Sequence, residues 1–205
     1  MPKKKDSATK EKLIQAGVKL MLAQGFNATS VDEMCQEAGV TKGSFFHYFE
    51  TKEELAKEAV TYFSNSQMRQ FESGPYNSLS DPLDRLYGFL DFMMEGVKNS
   101  KGPLSCLMGN LTQELSLTNS EIRSVCEHNF SWHNQRIQNL IEEAVKAHPP
   151  KTEVNSASLA KYLAAILQGS LLLTKATQDN TLMVENIQHF KRYLQTLFPE
   201  RLPVQ

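Results

Sequence analysis

The sequence lacks most of what would mark a catalyst or a stapled scaffold. Its three cysteines, Cys35, Cys106 and Cys126, are an odd number with no C-x-x-C spacing. That excludes a disulfide framework and a zinc ribbon and points to a reducing compartment. Net charge is only −1, from 22 Lys and Arg against 23 Asp and Glu, so bulk positive charge is not how the chain meets a partner. No stretch reaches the roughly 18 unbroken apolar residues of a membrane span, and Met1-Pro-Lys-Lys-Lys-Asp6 leads into no apolar signal region. A cytoplasmic protein without membrane contact is therefore expected. Missing as well are a phosphate-binding loop, a dinucleotide fingerprint, a nucleophile elbow and H-E-x-x-H, so neither an enzyme nor a cofactor is expected. Internal repeats are absent, and no β-branched run alternates as a strand would.

What remains is helical punctuation on a 205-residue chain that is 40% hydrophobic, enough to bury a core without staples. The expected fold is all-α. A first helix over about 8–24 carries Leu13, Ile14, Gly17, Leu20 and Met21 on one stripe and stops at Gly25. Ser30-Val-Asp-Glu33 is a capping box opening a helix over 31–38, whose Val31, Met34, Cys35 and Ala38 share one face. Gly39 ends it, and Thr41 caps a short helix over 42–48. Thr51-Lys-Glu-Glu54 is a second capping box, opening a helix to about Glu72. Asp81-Pro82 launches another to about Lys98, and further helices are expected over 104–116, 120–147, 156–178 and 183–197.

Charge is unevenly spread. Residues 1–52 hold eight Lys against six acids, and five of those Lys fall within the first twelve residues, so a basic arm precedes a mildly acidic body. Three helices within fifty residues, the second and third joined by Ala38-Gly39-Val40-Thr41, have the spacing of a helix-turn-helix. In the third, Phe45 and Phe49 at i and i+4 anchor one face, which turns Lys42, Ser44, His47 and Tyr48 outward as a major-groove reader would. Spacing alone equally allows a small structural subdomain with an aromatic edge.

Residues 10–55, above all the run from Thr29-Ser-Val-Asp-Glu-Met through Gly-Val-Thr-Lys-Gly-Ser-Phe-Phe-His-Tyr-Phe to Leu55, resemble the DNA-binding domain of the TetR/AcrR family of bacterial repressors. The resemblance implies a reading domain over 1–52 and a helical effector-binding and dimerisation domain over 53–205. It implies base readout from Lys42, Gly43 and Ser44, phosphate contacts from Thr29, His47, Tyr48 and Lys52, and Thr41 at the head of the reading helix. Two positions depart from the family pattern. Phe46 stands where a tyrosine is usual, removing one hydroxyl, and Cys35 stands where alanine is usual, a small apolar residue on the buried stripe.

One short reading helix buries too little surface for specificity, so the partner expected is a palindromic operator in double-stranded DNA bound by a homodimer. Helices 156–178 and 183–197, with Leu171-Leu-Leu173, are the candidate pairing surface, ordinary monomer core being the alternative. The middle helices carry Phe89, Met93 and Trp132 among other apolar residues that would line a pocket for a small hydrophobic effector. Cys106, in Gly102-Pro-Leu-Ser-Cys-Leu-Met-Gly109, falls in the first turns of a helix, where amide ends favour a thiolate. This segment resembles the branch of the family typified by the repressor of N-ethylmaleimide reductase, which implies an electrophilic or oxidising effector, with Lys175 the candidate cation beside the thiol. Cys126 and His133, seven apart on an apolar stripe, are packing residues and not a metal site. Two rivals stand beside the repressor: a helical ligand carrier or thiol enzyme with the first fifty residues as scaffold, and sequence-independent DNA coating through Lys3, Lys4 and Lys5.

Overall fold

A computed structural model describes residues 4–102 and 104–198; Lys3 of the basic arm and Pro103 of the Gly-Pro break lie outside the described residues. Among the described residues the chain is all-α. The helices are α1 (Lys4–Gln24), α2 (Val31–Ala38), α3 (Lys42–Tyr48), α4 (Lys52–Ser73), α5 (Pro82–Lys98), α6 (Leu107–Leu115), α7 (Ser120–Ala147), α8 (Ser156–Thr177) and α9 (Thr181–Leu197), with a single 3-10 turn at Pro75–Ser78.

Local chemistry sets most of these bounds. Ser30 and Glu33 form both halves of the capping box on α2, and Gly39 at φ +65 ends it in the left-handed conformation. Asp81 accepts from the Leu83 and Asp84 amides at 2.8 and 3.0 Å, with Pro82 in the first helical position. Two expectations need correcting. At α4 the Glu54 amide donates to Thr51 Oγ1 at 3.2 Å, but the Glu54 carboxylate turns one residue further back, to the Glu50 amide at 2.8 Å. The sixth helix begins at Leu107 and not at 104, because Cys106 is extended at φ −117, ψ 120. Leu104 to Cys106 precede the helix instead of opening it.

The chain divides into two compact units, each discontinuous in sequence: one from residues 1–69 and 105–130, the other from 70–104 and 131–205. In the first, α1 packs on α2, α3 and α6 around Leu13, Met21, Phe26, Met34, Phe45, Phe49, Leu55, Leu107, Leu111, Ile122 and Cys126. Gly17 lets α1 approach α4: a Cβ there would lie 2.4 Å from Leu55 Cδ2. In the second unit α5 packs on α9, and α9 on α8, around Tyr76, Leu86, Phe89, Leu90, Ile141, Leu163, Ile187 and Phe190.

The sequence shows no unbroken apolar span, yet α8 has the length and mean hydropathy, 1.3 over its most apolar window, of a helix able to cross a membrane. Only 28% of that window is buried. Tyr162, Ala165, Gly169, Leu172 and Ala176 are exposed and follow one another at steps of three and four, a continuous outer stripe of apolar and small side chains. Leu172 and Leu173 are about half exposed, and Tyr193 of α9 lies beside Tyr162 with ring centroids 6.4 Å apart.

Two glycines flanking the α2–α3 turn separate backbone strain from space. An added Cβ at Gly39 meets nothing within 4 Å but φ is +65, whereas at Gly43 the backbone is helical and the nearest atom is Thr41 Oγ1 at 3.8 Å. Gly39→Ala is expected to lower unfolding free energy by about 1 kcal/mol, and Gly43→Ala to raise it by roughly 0.4–1 kcal/mol. Urea midpoints at unchanged slope check both.

Candidate nucleic-acid interface

The turn between α2 and α3 is closed by backbone and side chain together. The Val40 amide donates to the Cys35 carbonyl at 2.9 Å, and the Cys35 thiol donates to the Thr41 carbonyl at 3.7 Å. Cys35 is thus more than a small buried residue: its sulfur spans the turn, and burial raises its pKa and keeps it a thiol. Thr41 caps α3, its Oγ1 accepting from the Ser44 amide at 3.2 Å and lying 3.0 Å from Ser44 Oγ.

Seven residues of helix have one buried side. Phe45 is fully buried and Phe49 nearly so, with ring centroids 5.7 Å apart. The opposite side exposes Lys42, Gly43, Phe46 and His47. These are i, i+1, i+4 and i+5, hence one contiguous patch. Ser44 and Tyr48 sit half-buried at its margins, with the Tyr48 ring edge-on to His47 at 4.7 Å. Lys42 is 58% exposed and pairs with Asp32 of α2 at 2.9 Å. An exposed pair of this kind contributes about 0–1 kcal/mol, so the ammonium changes partner at little cost.

The structure gives Thr29 and Lys52 a different task from contacting phosphate with free side chains. Thr29 is 1% exposed, and its hydroxyl donates to the Gly25 carbonyl at 2.7 Å. The Lys52 ammonium donates to the Phe26 and Thr29 carbonyls at 2.9 and 2.8 Å and sits 4.1 Å from the centroid of the Phe26 ring. Both residues hold the loop between α1 and α2, leaving one Lys52 N–H for an outside acceptor.

That loop has a further holder that the sequence did not reveal. Glu114 of α6 accepts from the Phe26 and Asn27 amides at 2.9 and 2.8 Å. One turn earlier, the buried Asn110 donates to the Met21 carbonyl near the end of α1 at 3.1 Å. Two side chains spaced i, i+4 on α6 therefore hold two amides of the loop and a carbonyl in the last turn of α1, which also accepts from the Gly25 amide at 3.2 Å. Local pattern carries no signal for contacts made across nearly ninety residues. The Asp32–Lys42 pair has no sequence signal either, Asp32 being only one of the six acids of residues 1–52.

Of the candidate effector residues, Cys106 is half-buried at the N-cap of α6, and its side chain makes no capping bond. Cys126 is buried in the same unit, its thiol pushed up by burial. Lys175 lies in the last turn of α8, in the other unit. Phe89 is core, 2% exposed, with Phe71 and Tyr76 rings at 4.5 and 5.4 Å. Met93 and Trp132 are half-buried; the Arg136 guanidinium lies 5.2 Å from both the Trp132 and the Phe71 ring centroids. Burial lowers the pKa of His133 beside them, and the Arg136 charge adds to the effect. The second unit has a groove of about 600 Å³ between α5 and α9, lined by Met94 and mostly polar residues such as Glu95, Lys98, Glu185 and Arg192, and by none of the expected effector contacts. No group of three His, Cys, Asp or Glu among the described residues has the geometry to hold a metal.

Glu33 links the site to pH. Its pKa is lowered from 4.5, first by the Ser30 amide, then by the Ser30 hydroxyl and Gln24. A carboxylate with a depressed folded-state pKa gives its full stabilisation above about pH 4.5 and loses it as pH falls through the lower folded value. Glu33→Gln is therefore expected to unfold more easily than the parent near pH 7, and the two to converge in acid below pH 4.5, as read from melting temperatures across pH.

Residues 13–59 match the family described as bacterial regulatory proteins, tetR family, and residues 82–190 match a tetracyclin repressor-like C-terminal domain. An uncharacterised HTH-type transcriptional regulator from Lactococcus lactis is 29% identical over 89% of this chain and 91% of its own length. The HTH-type transcriptional repressor DhaR of a Mycobacterium species is 24% identical over 95% and 92%. Among solved structures, reduced NemR from E. coli aligns with a TM-score of 0.76 at 22% identity, over 93% of this chain and 97% of its own. It is one of several structures of comparable likeness, so the fold alone does not favour the N-ethylmaleimide reductase repressor branch.

Proposed function

We propose that this chain, which belongs to the tetR family of bacterial regulatory proteins, a non-enzymatic family of DNA-binding regulators, works as a repressor that grips a palindromic operator as a homodimer and lets go when an effector binds. The observation that carries this reading is the patch of Lys42, Gly43, Phe46 and His47, exposed on a short helix whose other side is pinned by Phe45 and Phe49. A helix held from behind with its first turn clear is suited to a major groove, where early residues meet base edges and flanking donors meet phosphates. Lys42, Gly43 and Ser44 are the base readers in this proposal. Thr41, His47, Tyr48 and the remaining Lys52 donor face the backbone, and Thr29 acts by holding the loop. Residues 1–52 carry the reading surface in this proposal, and 53–205 carry response and pairing while also supplying part of the reading unit's core.

Pairing is supported by the outer stripe of α8 with Tyr193 of α9. An apolar helix of that length, with only 28% of its most apolar window buried, is better covered by a second copy than by lipid, since exposed Lys161 and half-buried Gln168 interrupt it. A cytoplasmic location accords with a DNA partner.

Release follows from linkage. An effector that prefers the non-binding conformation by about 3 kcal/mol weakens operator affinity roughly 150-fold, and operator weakens effector binding equally. The α6 side chains Asn110 and Glu114 are the route proposed within the reading unit, because any displacement of α6 pulls on the loop that carries α2. Cys106 heads that helix. A small hydrophobic effector at Met93 and Trp132, against the buried Phe89, or an electrophile at Cys106, is the proposed trigger.

Selection against randomised duplexes is expected to enrich an inverted repeat, with Lys42→Ala binding it about 5- to 150-fold more weakly. A carrier or thiol enzyme enriches nothing, and a non-specific coat binds all duplexes alike with a salt slope of roughly −0.9 per phosphate contacted. Cys106→Ser is expected to keep operator affinity and lose release by oxidants or electrophiles. Unchanged release in that variant eliminates the thiol and leaves the non-covalent effector.

A further inference from the structure

Phe46 is the one residue of the exposed α3 patch with no polar atom in its side chain. It is 52% exposed, yet it is not loosely displayed: its ring stands edge-on to the fully buried Phe45, centroids 5.2 Å apart at an interplanar angle of 79°. One aromatic ring thus fixes the position of the other from beneath. Beside it, three residues earlier, Gly43 contributes no side chain, and a Cβ there would meet only Thr41 Oγ1 at 3.8 Å. The fold therefore does not require glycine at 43, which adds no side chain to the patch. Lys42 lies one turn earlier and His47 alongside, so the exposed ring is bordered by donors.

What such a ring can meet follows from groove chemistry. A phenyl ring donates no hydrogen bond to phosphate, and pressed on a base nitrogen, carbonyl or amino group it would leave that group desolvated and unpaired. The major groove offers one apolar feature, the C5-methyl group of thymine. We propose that Phe46 reads one thymine in each operator half-site through that methyl, and is a specificity-determining residue where loss of the tyrosine hydroxyl would otherwise count only as a missing contact. This rests on α3 being the base-reading element.

The test uses the full-length protein and the duplex recovered by selection, with each thymine replaced in turn by deoxyuridine, which removes the methyl and nothing else. Wild-type protein is expected to lose about 4-fold in affinity at one thymine per half-site, roughly 15-fold when both half-sites are changed. Phe46→Ala is expected to bind the thymine and uracil duplexes equally, and Phe46→Leu to keep part of the preference. If no uracil substitution weakens wild-type binding, or if the preference survives in Phe46→Ala, the methyl contact is overturned while the operator reading stands. Failure of the wild-type protein to enrich any inverted repeat would overturn the operator reading itself. The wild-type comparison needs no variant to fold.

Discussion

Burial of Phe45 and Phe49 is the constraint on which the reading surface depends. Seven residues are too few to hold a helix in water, because nucleation fixes several dihedrals before the first hydrogen bond repays them. The two rings, one turn apart, fasten α3 to the core beneath, while Thr41 and the extended Phe49 end it cleanly on either side. Only with that anchoring can Lys42, Gly43, Phe46 and His47 all remain uncovered. The fold puts its hydrophobic effort on one edge of the helix and leaves the other edge available for chemistry.

A second constraint runs through the loop from Gly25 to Ser30. Four separate groups occupy its backbone: the Thr29 hydroxyl, the Lys52 ammonium, the Gln24 amide and the Glu114 carboxylate. Each removes a polar group that would otherwise face partial burial without a partner, and together they leave the loop few alternatives. Because the holders come from α1, α4 and α6, the entry to α2 is set by side chains far apart in sequence. Buried Asn110 and half-buried Glu114 hold it from a helix whose own head is Cys106, so chemistry at that cysteine and the pose of α2 share a single element.

Much of this was legible in the residues themselves. Caps and stops placed α2, α3 and α5 at their observed ends, because Ser30, Gly39, Thr41 and Asp81 act on the backbone within four residues of themselves. The i, i+4 spacing of Phe45 and Phe49 likewise identified the buried edge of α3. Legibility ended where a contact reached beyond local sequence. Thr29 and Lys52 look like surface donors until Phe26 and Gly25 are folded against them, and Glu114 carries no local sign of the amides it accepts from. The start of α6 was illegible for a different reason: a Gly-Pro break marks a discontinuity without saying where the next helix opens, and here the extended Cys106 defers it to Leu107.

The reading unit is assembled from two stretches of chain, with Leu107, Leu111, Ile122 and Cys126 sharing a core with Leu13, Met34 and Phe45. The helices α4 and α7 each cross from one unit's share of the sequence into the other's. A transplant of residues 1–52 onto a foreign body would carry the exposed α3 patch away from about half of its apolar support. The exchangeable module, whether for recombination in nature or for building a hybrid regulator, is therefore a spliced pair of fragments, and any graft that swaps binding preference has to bring the later fragment with it.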